Sequence, residues 1–239
     1  MAYKVRLENV DHFYGESDEG NGARALEGVN LEIEPGAFAI LMGPSGSGKS
    51  TLLNLIGAID RPTKGRIFLG ENELSTMTES DLTMIRRRSI GFIFQFFNLI
   101  PTLTVSENIE FPLALANVPS KEARSRAAEA IGQIGLTPRA RHFPNQLSGG
   151  EMQRVAIGRA IVHRPDIILA DEPTGNLDSH TGDRILDLIR TIHQSYGPTI
   201  VMATHSSRAA SYGDFVIDVI DGEATRRVGH SEGMPAEAP

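Results

Sequence analysis

Apolar and polar positions along the chain follow two rhythms. Short runs rich in β-branched and aromatic residues come first, at Tyr3–Val10, Ala25–Ile33 and Phe38–Met42, and predict strands. Between the first two, Gly15–Arg24 is acidic and glycine-rich and predicts a surface loop. Further on, strands and helices alternate. Phe38–Met42, Ile167–Ala170 and Thr199–Ala203 are unbroken apolar runs, as expected of parallel strands covered on both faces. Helical periodicity marks Thr51–Ile59, Lys121–Ile134, Glu151–His163 and Thr181–Gln194. The alternation predicts an α/β fold. From about Phe96 to Arg164 only helix signals occur, punctuated by Pro101, Pro112, Pro119, Pro138 and Pro144. That stretch predicts a helical subdomain inserted between two strands of the sheet. The domain is expected to span residues 1–222. Residues 223–239, rich in Gly, Pro, Ala, Glu and Arg and without apolar periodicity, predict a disordered tail.

Composition adds limits. A chain of 239 residues suits one domain with a subdomain. Its 23 basic and 30 acidic side chains give a net charge of −7, which argues against nucleic acid as the main partner. No cysteine is present, so disulfides and thiolate metal sites are excluded. The longest apolar candidate, Leu52–Ile59, is interrupted by Asn54 and Gly57 and is far short of a bilayer span. The expectation is a soluble protein that reaches a membrane only through a partner.

Candidate chemistry begins at Gly43-Pro44-Ser45-Gly46-Ser47-Gly48-Lys49-Ser50, which follows an apolar strand and opens a helix beginning at Thr51. The spacing is that of a phosphate-binding loop. Its glycines let several N–H groups converge on one anion, and the helix adds its positive end. Lys49 is placed to reach the β- and γ-phosphates, and the Ser50 hydroxyl to ligate Mg²⁺. A glycine-rich turn with a capping serine leaves the lysine unexplained. Ile167-Ile168-Leu169-Ala170-Asp171-Glu172 is an apolar strand ending in two carboxylates. Neighbouring strand side chains diverge, so the two acids can serve different tasks. Asp171 is expected to hold Mg²⁺, directly or through water, and Glu172 to deprotonate an attacking water.

A second glycine-rich helix start, Leu147-Ser148-Gly149-Gly150-Glu151, has the spacing of a capping box. A capping box has no need of paired glycines, whereas an anion site does. This segment, continued by Met152-Gln153-Arg154, resembles the signature motif of ABC ATPases. Further landmarks of that family occur in order. Tyr14 resembles the aromatic residue that stacks on adenine. Gln95 resembles the glutamine that senses Mg²⁺ and the attacking water. Asn176-Leu177-Asp178-Ser179 resembles the loop crossing the dimer interface, and His205 the switch histidine at the γ-phosphate. The resemblance covers roughly Tyr3 to Asp221. It departs at Glu151, where many members have glutamine, and at Ser206, where aspartate is usual.

The resemblance implies a P-loop NTPase fold of the ABC ATPase kind. That is a RecA-like α/β core with an N-terminal antiparallel β subdomain and an inserted helical subdomain. It also implies ATP and Mg²⁺ as cofactors. Two copies would pair head to tail, the signature of one completing the phosphate loop of the other. Residues 91–101 and 170–178 are similar to a group serving lipoprotein release, macrolide efflux and cell division (the LolD, MacB and FtsE types). Membrane partners of that group usually carry four transmembrane helices and a large extracytoplasmic domain. The chain would therefore lie at the cytoplasmic face of the inner membrane as a homodimer bound to such a permease. It would drive lipoprotein release or efflux or, alternatively, regulate peptidoglycan remodelling in cell division. Leu99–Leu115 would line the groove for the partner's coupling helix. A chromosome-maintenance ATPase would need a long coiled-coil insertion, and a translation factor two such domains. A non-catalytic regulator would lack Glu172 or His205.

Overall fold

The computed structural model describes residues 2–15 and 22–227. Among these residues ten strands form two sheets. In chain order the strands are β1 (Val5–Tyr14), β2 (Ala23–Ile33), β3 (Phe38–Met42), β4 (Lys64–Leu69), β5 (Asn72–Glu73), β6 (Ile90–Ile93), β7 (Ile167–Asp171), β8 (Thr199–Thr204), β9 (Phe215–Ile220) and β10 (Glu223–Arg226). The helices are α1 (Lys49–Ile56), α2 (Glu79–Ser89), α3 (Val105–Leu115), α4 (Ser120–Gln133), α5 (Gly149–Ile161), α6 (Ser179–Tyr196) and α7 (Ser207–Ala210).

The smaller sheet has the order β2-β1-β4-β5 and is antiparallel. The larger has the order β10-β9-β3-β8-β7-β6, parallel except for β10 against β9. Because side chains alternate along a strand, the larger sheet feeds two cores at once. Phe38, Ile40, Ile168, Ala170, Ile200 and Met202 join helices α3 to α6 on one face. Ala39, Leu41, Ile167, Leu169, Val201 and Ala203 face α1 and the smaller sheet on the other. The helical insertion shares the first of these cores, through Ile109, Leu113, Ala127 and Val155.

The predicted helices are all present, with ends moved by one to three residues. Some expectations change. β1 runs four residues beyond Val10, to Tyr14, and β2 already begins at Ala23, so the loop between them is shorter than Gly15–Arg24. Its residues 16–21 lie outside the described residues. The boundary at 222 is also too early. Glu223–Arg226 pairs with Ile217–Ile220 as the last strand of the large sheet. This polar segment is a strand because β9 offers it an unpaired edge, not because of its own pattern. Residues 228–239 of the expected tail lie outside the described residues. Strand β4 and helix α2 have no counterpart in the apolar pattern.

Candidate nucleotide site

Four parallel strands end on the same side of the large sheet, and their ends carry the candidate residues. Gly43 follows β3, Gln95 stands two residues beyond β6, Asp171 is the last residue of β7, and His205 follows β8. Ligands in open parallel sheets gather at such carboxyl ends.

The loop between β3 and α1 bends as its glycines allow. Gly48 is the N-cap of α1 at φ 106°, and a β-carbon there would lie 2.6 Å from the carbonyl oxygen of Ala25. A β-carbon on Gly43 would meet the carbonyl oxygen of Val219 at 2.0 Å. Only glycine passes at either point. Helix α1 has no side-chain cap and no acid in its first turn. Its first N–H groups are therefore open to an anion. Lys49 is buried, and its Nζ donates to the carbonyls of Gly43 and Pro44, both at 2.8 Å. The Ser47 hydroxyl is buried without a hydrogen-bond partner among the described residues.

The two adjacent carboxylates diverge. Asp171 is hydrogen-bonded to Ser50. Burial pushes its pKa up; the Ser50 bond opposes this, Glu172 adds to it, and Lys49 opposes it. Glu172 turns the other way, with Oε1 3.1 Å from His205 Nδ1. Its backbone sits at φ 43°, a left-handed conformation that costs a non-glycine residue about 1 kcal/mol or more. The peptide is pinned there by Glu172 N–H donating to Ala203 O at 3.0 Å and Gly175 N–H donating to Glu172 O at 3.0 Å. Gln95 Nε2 donates to Asn176 Oδ1 at 3.5 Å, and Asn176 Nδ2 returns a bond to the Gln95 carbonyl at 3.0 Å.

One cavity of about 800 Å³ collects Tyr14, Ser45, Gly46, Gly48, Lys49, Ser50, Thr51, Gln95, Asp171, Glu172 and His205. The Tyr14 hydroxyl lies 3.2 Å from Thr51 Oγ1, and its half-exposed ring meets His12 edge-on at 4.7 Å. Among the described residues no cluster of three or more His, Cys, Asp or Glu could hold a metal by itself. The donors here are the Ser50 hydroxyl, the Asp171 carboxylate and the Gln95 amide oxygen, hard oxygens that suit Mg²⁺ when phosphate and water complete the shell.

The second glycine-rich start is built differently and lies elsewhere. Ser148 caps α5, with its Oγ accepting from Glu151 N–H at 3.3 Å. Glu151 Oε2 accepts from the Ser148 N–H and hydroxyl, each at 2.8 Å, and Arg139 Nε donates to Oε1 at 3.2 Å. Hydrogen bonds from Ser148 hold the Glu151 carboxyl below its usual range. Ser148, Gly149, Gly150 and Glu151 line a separate hollow of about 400 Å³ with Asn176, Leu177 and Asp178. Asp178 caps α6 by accepting from Thr181 N–H at 3.0 Å. None of the described residues lines both the hollow and the larger cavity.

Three residues have supporting roles that the motifs do not foretell, although Asn176 and Gln153 lie within the motif segments. Asn176 ties Gln95 to the segment after Glu172. Gln153 is fully buried and its Nε2 donates to the Pro173 carbonyl at 2.7 Å. Arg159 holds the carbonyls of Phe97 (2.8 Å) and Asn98, two residues with left-handed φ of 62° and 48°. For Gln153 and Arg159 the sign that sequence gives is a polar residue inside a helix, α5.

Comparison with known proteins gives the family and the fold. The family described as ABC transporter matches residues 26–175. An ABC transporter ATP-binding protein of Thermotoga maritima is 50% identical over 198 residues, covering 83% of this chain and 84% of that protein. The macrolide export ATP-binding/permease protein MacB of Hyphomonas neptunium is 43% identical over 98% of this chain, which covers 36% of that protein. A dimeric structure of the ATP-binding cassette MJ0796, in a post-hydrolysis state bound to ADP and Pi, superposes with a TM-score of 0.85 at 44% identity. That match covers 96% of this chain and 100% of the other.

Proposed function

Because this chain belongs to the ABC transporter ATP-binding family and has its fold, we propose that it hydrolyses ATP as a head-to-tail homodimer on an efflux-type membrane permease. The observation that carries this reading is the division of glycine-rich helix starts between two cavities with no common lining residue among those described. A signature that lies apart from its own phosphate loop is free to serve that of another copy.

In this reading the loop N–H groups of Gly46, Gly48 and Lys49 and the Lys49 ammonium hold the β- and γ-phosphates, while Tyr14 supports the adenine. Ser50 and Asp171 would hold Mg²⁺, which when bound neutralises phosphate charge. Gln95 aligns the water. Glu172 takes its proton as the water oxygen bonds to the γ-phosphorus and the bond to the β–γ bridging oxygen breaks, leaving ADP and phosphate. His205, 3.1 Å away, fixes the Glu172 carboxylate. Ser148, Gly149, Gly150 and Glu151 of the second copy close over the phosphates, and Asp178 lies along the seam. Loss of the γ-phosphate removes the bridge, and the dimer opens.

Support for the permease comes from the macrolide export relative, which unites ATP-binding and permease parts in one protein. The permease would be of the four-helix type with a large extracytoplasmic domain, moved mechanically from the cytoplasmic side of the inner membrane. Residues 100–115 of the helical insertion contribute to a groove fit to receive its cytoplasmic segment. The test is purification of tagged Glu172→Gln protein from solubilised membranes with ATP. Recovery of a four-helix membrane protein is expected. Recovery of a many-helix permease would overturn the partner type, and an ATP-bound dimer with no membrane protein would overturn the transport reading.

A further inference from the structure

The groove just mentioned has a charge opposite to that of the protein. It encloses about 550 Å³ between α2, β6, α3 and α5. Ile59, Phe111 and Leu115, three of the large apolar side chains that remain exposed, stand along it. Phe92 and Phe94, stacked at 5.6 Å, form part of its floor. Among the described residues its lining holds three arginines, Arg86, Arg87 and Arg159, and no carboxylate, although the whole chain carries a net charge of −7. The other titratable group there is His163, whose pKa burial lowers, so the arginines set the charge.

The arginines differ in availability. Arg86 bonds Glu79 (2.5 Å) and the Ala58 carbonyl (2.5 Å), and Arg159 bonds the carbonyls of Phe97 and Asn98. Arg87, in the last turn of α2, is exposed and makes no side-chain hydrogen bond or ion pair among the described residues. An apolar trough with one uncommitted cation on its rim selects an occupant by charge as well as by shape.

We infer that the groove takes an acidic amphipathic helix of the membrane partner, with large apolar side chains against Phe111 and Leu115 and a carboxylate against Arg87. The inference rests on the docking reading above and adds the chemistry of the docked segment. Burial of the half-exposed apolar groups supplies attraction, and the Arg87 pair fixes orientation.

Two synthetic helical peptides of about 16 residues, Leu and Phe on one face and either Glu or Lys on the other, discriminate. Their binding to the full chain would be followed by fluorescence anisotropy. The net negative charge favours the Lys peptide for non-specific binding to the surface as a whole; the groove favours the Glu peptide. Expected is tighter binding of the Glu peptide by about fivefold at low salt, shrinking in about 0.5 M salt. The preference should reverse in Arg87→Glu and binding of both should weaken in Phe111→Ser, with ATP turnover unchanged in each. Equal binding, or tighter binding of the Lys peptide to wild type, overturns the charge inference and leaves the docking groove standing. Binding of neither peptide by a protein that still hydrolyses ATP overturns both. Self-association without nucleotide that Phe111→Ser abolishes would give the face to a second copy and overturn the inference.

Discussion

Helices α1 and α5 both start at glycine-rich turns, yet their first turns are prepared for different work. At α1 the N-cap is Gly48 in a left-handed conformation, no side chain caps the helix, and no acid stands in the first turn. At α5 the N-cap is Ser148, the capping box is closed from both sides, and Glu151 occupies the first turn. The first leaves its N–H groups open and adds a buried ammonium, so it can hold a phosphate group by itself. The second has satisfied part of its donors and placed a carboxylate among them, balanced by Arg139. Such a start is already stable without an anion and is weakly attractive to one. The contrast teaches that a glycine-rich helix N-terminus is not one kind of site. What caps it decides whether it captures an anion or only adds to a site formed elsewhere.

Four changes would break or sharpen this contrast. Glu172→Gln should lower ATP turnover roughly 10²–10⁴-fold while nucleotide binding survives, separating capture at α1 from chemistry beside it. Steady-state phosphate release and equilibrium binding on one preparation decide this, and a parallel loss of binding would remove Glu172 from the role of base. Lys49→Ala should weaken ATP binding by about tenfold to a hundredfold, the worth of hydrogen bonds from a charged donor. Titration with a fluorescent ATP analogue reads it; unchanged affinity would mean the open N–H groups suffice. Ser148→Ala should reduce stability by about 1 kcal/mol, a fall in Tm of about 2–4 °C, because α5 loses its cap. Nucleotide affinity of the monomer should not move, since Ser148 lies in the separate hollow.

The smallest effect is on pH dependence. Glu151 has a pKa lowered in the folded state, so its bonds to Ser148 stabilise the fold above the ordinary value of 4.5. That contribution disappears as pH falls through the lowered folded value. Melting curves of wild type against Glu151→Gln across this acid range should converge at its low end. Curves that stay parallel would show that the carboxylate does not stabilise the cap.

The fold and the site are only partly legible in the sequence. The apolar runs of β3, β7 and β8 are visible because both faces are buried and the pattern has no polar interruptions. Strand β4 is not, because its first three residues are exposed and only Ile67 and Leu69 are buried. Helix α2 is hidden for a similar reason: it buries only Leu82 and Ser89 and ends in three arginines. Strand β10 exists through its neighbour's free edge. In the site, strand alternation leads one to expect Asp171 and Glu172 to diverge, and they do separate toward Ser50 and His205. But Glu172 lies one residue beyond β7 in a left-handed conformation, so that turn sets its direction. The left-handed backbone at Glu172 and the bracing by Asn176, Gln153 and Arg159 carry no local signal, since each brace acts on a segment more than fifteen residues away.

By itself the sequence determined the chemistry of each segment: which turns can converge N–H groups, which side chains carry charge, and which strand ends in acids. Those properties depend on spacing within one or two turns of chain, where covalent geometry leaves few choices. Which segments meet was decided by the tertiary structure. Gln95, Asp171 and His205 come together because β6, β7 and β8 are parallel neighbours, and β3 beside β8 brings the phosphate loop to them. The same packing keeps Ser148–Glu151 in a hollow of its own. Long-range placement follows from burying both faces of one sheet at once, a condition no short window of residues contains.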